Sequence, residues 1–154
     1  MFKIGVISDT HGYLDQAVLR TFEGVDHILH GGDVGMPWLI SELASIAPVT
    51  AVLGNTDGEI ALKETEVVRL SGRKFLVHHV VDVTSPSAGL KRHLESEGPD
   101  VVVFGHTHRR YCESHGRTLF FNPGYAGKPR FHLTRSVAIL SCQGHCIATE
   151  FVEL

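Results

Sequence analysis

Four hydrophobic runs in this chain each stop at a small cluster of residues that can bind a metal or turn the backbone. FKIGVIS runs into Asp9-Thr10-His11, DHILHG into Gly32-Asp33, VTAVL into Gly54-Asn55, and DVVVF into Gly105-His106-Thr107-His108. Each run has the length and apolar content of a covered strand in a largely parallel sheet. Each polar cluster then lies just past a strand's carboxyl end, the edge at which open α/β sheets place their ligand sites. Carboxylate and amide oxygens mixed with imidazole nitrogens, with no thiolate, suit Mn, Fe or Zn in a working site better than a structural zinc.

The rest of the sequence sets the frame. Its 154 residues fit one domain, 1–154, large enough to bury a proper core. With 43% hydrophobic and 20% charged residues, it reads as a folded globular chain. A formal net charge of -3 supplies no global field for nucleic acid or anionic membrane, so neither is an expected partner. No apolar run approaches the roughly 20 residues that span a bilayer, and MFKIGVISD does not read as a signal peptide. Cys112, Cys142 and Cys146 form no disulfide framework, which favours a reducing compartment and a cytoplasmic location.

Along the first half, strand and helix signals alternate. Residues 2–8, 26–30 and 49–53 read as strands, with helices over 13–23 and from Pro37 to about Ile46. This βαβαβ rhythm predicts a mostly parallel sheet with right-handed crossovers. In the second half, Ser71-Gly72, His115-Gly116 and Gln143-Gly144 each divide strand-like runs and predict hairpins. A helix from Pro86 to about Glu97 and a strand over 100–104 lie between the first two of them. A turn at Gln143-Gly144 would set Cys142 opposite His145, so CQGHC does not make a zinc site. The stretch from Asn122 to Pro129 is too rich in Gly and Pro for regular structure.

In an extended segment, residues two apart point the same way, so Asp9 with His11, and His106 with His108, can address one ion. Asp33 is the candidate for a carboxylate shared by two cations. A further histidine ends the run FLV, and the sequence offers both His78 and His79 for it.

Asp-x-His, Gly-Asp, Gly-Asn-x-Asp, a strand-end His and Gly-His-Thr-His, in this order, resemble the calcineurin-like metallophosphoesterase superfamily. The short length, Gly54-Asn55-Thr56-Asp57 and the Asn-Pro-Gly loop are similar to its small bacterial and archaeal phosphodiesterases of the YfcE type. The resemblance implies an α/β fold, a four-layer αββα sandwich in which two mixed β-sheets packed face to face are flanked by helices. It also implies a dinuclear centre of two divalent ions, Mn first, with Ni, Co, Fe or Zn as alternatives. One ion would be held by Asp9, His11, Asp33 and His108. The other would be held by Asp33, Asn55, His78 and His106, with a one-residue slip exchanging His79 for His78. The implied activity is hydrolysis of a small phosphate ester, most simply a diester, by a hydroxide activated between the ions. Asp33 and Asn55 take the central roles, and Asn55 and Arg130 contact substrate. Arg109, Arg110 and Lys128 would add a cationic rim, and Trp38 could belong to a self-association patch.

Larger relatives carry a histidine after the Asn, able to protonate the leaving group, where this chain has Thr56. The general acid is therefore unassigned, with Asp57, His79 and His30 the places to look. Two other readings compete with the hydrolase: a non-catalytic interaction module like the retromer subunit of this fold, and a nucleotide pyrophosphatase or nuclease. A complete set of coordinating side chains opposes the first, and the missing basic groove opposes a polymeric substrate for the second.

Overall fold

The computed structural model describes residues 1–154, with ten strands and three helices. The first half delivers β1 (Phe2–Ile7), α1 (Gln16–Thr21), β2 (His27–His30), α2 (Pro37–Ala44) and β3 (Val49–Ala51). Then follow β4 (Thr65–Leu70), β5 (Arg73–His78), α3 (Ala88–Glu97), β6 (Val101–Val103), β7 (Arg110–His115), β8 (Thr118–Pro123), β9 (Ser136–Gln143) and β10 (Cys146–Glu153). They form two five-stranded mixed sheets, in the orders β10-β9-β1-β2-β3 and β4-β5-β6-β8-β7. In each sheet three strands run parallel, β1-β2-β3 and β5-β6-β8, and the remaining strands are antiparallel.

The period of two along each strand sorts its side chains into three cores. Ile4 and Val6 of β1, Leu29 of β2, Phe75 and Val77 of β5, and Val101 and Val103 of β6 meet between the sheets. Ile7 and Ile28 face the other way, onto α1 and α2 through Val18, Phe22, Leu39 and Leu43. Leu76 and Val102 back onto Leu90 of α3. The result is the four-layer sandwich expected. Gly5 lets α1 approach: a Cβ there would stand 2.9 Å from the Phe22 ring. No helix is long and apolar enough to cross a membrane.

Local chemistry explains the departures from the expected boundaries. The first helix starts only at Gln16 because Asp15 takes the N-cap, accepting from the Ala17 N–H at 2.8 Å. Ser87 likewise caps α3, and Gly98 ends it in the left-handed conformation. Of the three hairpins, only Ser71-Gly72 turns where expected, with positive φ at both central residues. The other two turns are Gly116-Arg117 and Gly144-His145, one residue later than expected. A two-residue turn with positive φ only at its first position demands glycine there, which pulls each turn forward. Cys142 therefore pairs with Ile147, not with His145, and remains a buried core residue.

Packing the two sheets face to face sets the carboxyl ends of β1, β2 and β3 against those of β5 and β6. That shared edge collects the polar clusters.

Candidate functional site

The backbone at this edge is strained where the expected ligands stand. Asp9, His11, Asp33, His106 and His108 all have positive φ, between 47° and 71°. For an L-residue this conformation costs about 1–2 kcal/mol, and such strain concentrates at functional sites. Long-range bonds impose it: the Asp9 N–H reaches Gly32 O at 3.0 Å, and the His11 N–H reaches Asp33 O at 2.9 Å. The His106 N–H donates to Asp9 Oδ2 at 3.1 Å. The glycines were expected to turn the chain, but at Gly54 and Gly105 they mainly provide space. A Cβ at Gly54 would collide with the Asp33 carboxylate, and one at Gly105 with Ser8 and Asp9.

Each buried carboxylate is anchored through one oxygen and presents the other to the site. Asp9 Oδ2 accepts from the Ser8 hydroxyl at 2.7 Å as well as from His106, while Oδ1 is buried with no hydrogen-bond partner. Asp33 Oδ1 accepts from the Thr56 N–H at 2.9 Å. Its Oδ2 lies 3.7 Å from His11 Nε2 and 3.2 Å from His79 Nε2. Burial works to raise the Asp9 pKa, but the neighbouring His108 and His79 imidazoles and the Ser8 hydroxyl outweigh it. The net effect holds the carboxyl below its ordinary value, and so ionised.

Around the two carboxylates stand two imidazole pairs. His11 and His108 meet edge to face, with centroids 5.6 Å apart, and His79 and His106 do the same at 5.4 Å. His108 Nε2 is 3.3 Å from Asp9 Oδ1. Asn55 Oδ1 closes the second pair, 3.0 Å from His79 Nε2 and 3.0 Å from His106 Nδ1.

The residue delivered to the site from the end of β5 is His79, which corrects the choice of His78. His78 is the last residue of β5 and turns its Nδ1 to Thr65 Oγ1 at 2.8 Å; burial lowers its pKa, partly offset by Glu64. His79, past the strand end, is almost fully buried between the sheets' edges. Its Nδ1 is 2.7 Å from Gly31 O, and a carbonyl can only accept, so the proton sits on Nδ1. That leaves Nε2 facing two oxygens, Asp33 Oδ2 and Asn55 Oδ1. A ring nitrogen set between two acceptor oxygens fits a cation held among the three. Gly32 (φ 101°) allows the approach, since a Cβ there would lie 2.6 Å from His79 Nδ1. A strand-end rule alone cannot separate neighbours whose side chains point to opposite faces.

Behind these side chains stand residues that hold their loops in place. His30 is fully buried, and its burial lowers the pKa to about 4, so it is neutral. It accepts the Gly32 N–H on Nδ1 at 3.1 Å; Nε2 then donates to Thr10 Oγ1 at 3.0 Å, and Thr10 donates to Val34 O at 2.9 Å. This chain fixes the loop carrying Asp33. Asp57 accepts three backbone N–H groups, from Val34, Gly35 and Gly54, at 2.9–3.0 Å. It clasps the Asp33 and Asn55 loops together and is not free to act as an acid. Tyr125, from the Gly- and Pro-rich stretch, walls the first imidazole pair with its ring 4.8 Å from His108 and 6.4 Å from His11. Asn122 ties that stretch to the histidine loop by donating to Gly105 O at 3.0 Å. An aromatic residue and a buried Asn in such a loop were the only sequence signals for this pair.

The expected cationic rim is thinner than its sequence suggested. Arg130 stacks on the outer face of Tyr125 at 5.2 Å, one ring removed from the histidines. Arg110 is committed to Ser136 and Glu153. Arg109 and Lys128 are exposed.

Comparison with known proteins agrees with this geometry. Residues 2–145 match the calcineurin-like phosphoesterase superfamily domain. A protein of Methanothermobacter thermautotrophicus named as a probable metallophosphoesterase is 36% identical over 97% of this chain and 91% of its own. A phosphodiesterase of Methanocaldococcus jannaschii is 30% identical over 79% of this chain and 82% of its own. Among solved structures, Vps29 of Chaetomium thermophilum superimposes with a TM-score of 0.79 over 99% of this chain and 96% of its own. At 21% identity that likeness is one of fold alone. With a match across most of its length and a relative of this similarity, the chain belongs to the calcineurin-like phosphoesterase superfamily.

Proposed function

We propose that the protein is a metal-dependent phosphodiesterase with two divalent ions per chain, and that Mn is the first ion to test. The observation that carries this reading is the pair of buried, unpartnered atoms at the site, Asp9 Oδ1 and His11 Nε2. Unpaired buried polar groups are costly, and here both converge with His108 in one group, while Asp9 also joins Asp33 and His79 in a second. Asp9, His11, Asp33 and His108 would hold one ion; Asp33, Asn55, His79 and His106 would hold the other. Grouping by distance alone puts Asp9 in both clusters. Asp33 is nevertheless the better bridge: its Oδ2 lies 3.7 Å from His11 and 3.2 Å from His79, closer to both than Asp9 Oδ1, which is 3.9 Å from each and nearest His108 at 3.3 Å.

Two such ions supply Lewis-acid charge and a nucleophile from water at neutral pH. The chain's own groups do the rest. The anchored carboxylates of Asp9 and Asp33 and the Nδ1-bonded His79 would fix the ligand oxygens and nitrogens before substrate arrives. Asn55 turns Oδ1 toward His79 and His106, which leaves its amide N–H groups free to donate to a bound phosphate. No group is placed to protonate the leaving oxygen: Thr56 stands where an acid would, Asp57 is saturated by backbone donors, and His30 is sealed in the interior.

A non-catalytic interaction module of this fold is the weaker reading, since every proposed ligand position here carries a coordinating side chain. The three free cysteines support a reducing, cytoplasmic setting.

The test is to load metal-free protein separately with Mn, Ni, Co, Zn and Mg and to assay a series of aryl phosphodiesters. Hydrolysis should return with at least one transition metal. Its rate should fall steeply as leaving-group pKa rises, because a positioned acid, typically worth about 10²–10⁴-fold, is missing. No hydrolysis with any metal would sink the reading, and a flat plot would mean that an acid exists.

A further inference from the structure

A cavity of about 550 Å³ opens directly beside His106, on the side of the site away from Asn55. Its wall is mostly carbon: Val80 and Val83 from the loop after β5, Phe104 at the end of β6, and Tyr111 of β7. Phe104 and Tyr111 set their rings 5.7 Å apart as one aromatic wall. Val80 follows His79 directly and is 46% exposed, a large share for an apolar side chain. Arg109, also lining the cavity, forms no ion pair and leaves a guanidinium free to stack on a flat ring. A second cavity at the site, about 400 Å³, shares Val80 with the first but is otherwise lined by Asn55, Asp57, Glu64, His78 and His79, with Leu53 its other apolar side chain, and so is the more polar of the two. A phosphoryl group held between the two would direct its ester arms into unlike surroundings.

We infer that the apolar cavity is the subsite for one ester arm of the substrate, and that this arm carries a planar aromatic ring, aryl or nucleobase. This rests on the phosphodiesterase reading. Cavities of about 300–1,000 Å³ lined by apolar and aromatic groups are the usual form of small-molecule sites. His106 and Gly105 belong both to this cavity and to the loop that meets Asp9 and Asn55, so a ring seated there is continuous with a phosphoryl group at the ligand cluster. A short alkyl arm would leave Val80, Val83 and the half-buried Tyr111 ring wet.

The probes are phenylphosphonate, methylphosphonate and thymidine 5′-monophosphate. They are tested as inhibitors of aryl diester hydrolysis, and by valine-methyl NMR on the Zn-loaded protein. Phenylphosphonate should bind about tenfold to a hundredfold more tightly than methylphosphonate, from burial of the ring. It alone of those two should shift the Val83 methyls, which line only the apolar cavity, and Val83→Asp should erase the preference. Shifts with the nucleotide as well would identify a nucleobase arm; shifts with phenylphosphonate only would identify a simple aryl arm. Equal affinities with silent valines would overturn the subsite while leaving the hydrolase reading intact. Valine shifts without hydrolysis of any diester would uphold the subsite and sink the hydrolase reading. Methyl shifts that follow protein concentration without any probe would assign the cavity to a second copy of the chain and overturn the proposal.

Discussion

The two halves of the site are built differently. His11 and His108 are both half-buried, face the fully buried Asp9, and are backed by the Tyr125 ring. The other half pairs one deep anchor, His79, with two exposed partners, Asn55 and His106, and open cavities lie on both its sides. Both unpartnered buried atoms, Asp9 Oδ1 and His11 Nε2, belong to the enclosed half. The difference points to a division of work. A half walled by an aromatic ring and buried acid suits retention of an ion, while a half with exposed ligands and flanking space suits contact with substrate. Asp33 joins them through a single oxygen.

The comparison can be broken at its joint. Asp33→Asn keeps the side chain's size but removes charge from both halves, and should lower diester hydrolysis at saturating metal by several orders of magnitude. His11→Ala, confined to the enclosed half, should cost less. Steady-state rates on one aryl diester decide it, and near-native turnover in Asp33→Asn would show that the halves are not coupled through this carboxylate.

A smaller effect separates two neighbours. His79→Ala should empty the exposed half of its ion, whereas His78→Ala, which breaks only the contact with Thr65, should keep both ions and most of the activity. Metal analysis of the two variants checks this, and the reverse order would return the ligand to His78. Smaller again is Asp57→Ala, which touches no proposed ligand but frees three backbone donors between the Asp33 and Asn55 loops. Loss of groups that orient metal ligands typically costs about 10–100-fold. Metal titration should show that loss chiefly in the weaker ion, on the Asn55 side; equal weakening of both ions would mean that the clasp serves the whole edge.

Much of this was legible because strand ends leave a strong trace in sequence. A short apolar run followed by Asp, Asn or His gives both the strand and the direction in which it delivers its ligand, so Asp9, His11, Asp33, Asn55, His106 and His108 could be read from residue type and order. His79 could not be separated from His78 in that way, because the choice depends on where β5 ends relative to Gly31 O. The left-handed backbone at five ligand positions was also invisible, since Asp and His tolerate it without announcing it. Asp57 looked like a candidate acid because its backbone donors come from the loops after β2 and β3, and contacts between loops leave no pattern in one sequence. Arg130 was read from its resemblance to a family Arg beside the Asn-Pro-Gly loop, and its stacking over Tyr125 left no trace in the sequence.

The most direct test of the whole account is the number of ions the protein holds when it is active. Metal-free protein should be reloaded with Mn, freed of excess ion, and measured for metal by mass spectrometry and for diester hydrolysis in the same sample. The account predicts activity that rises as content approaches two ions per chain, with His79→Ala stopping at about one and losing hydrolysis. Full hydrolysis at one ion or fewer per chain would contradict it.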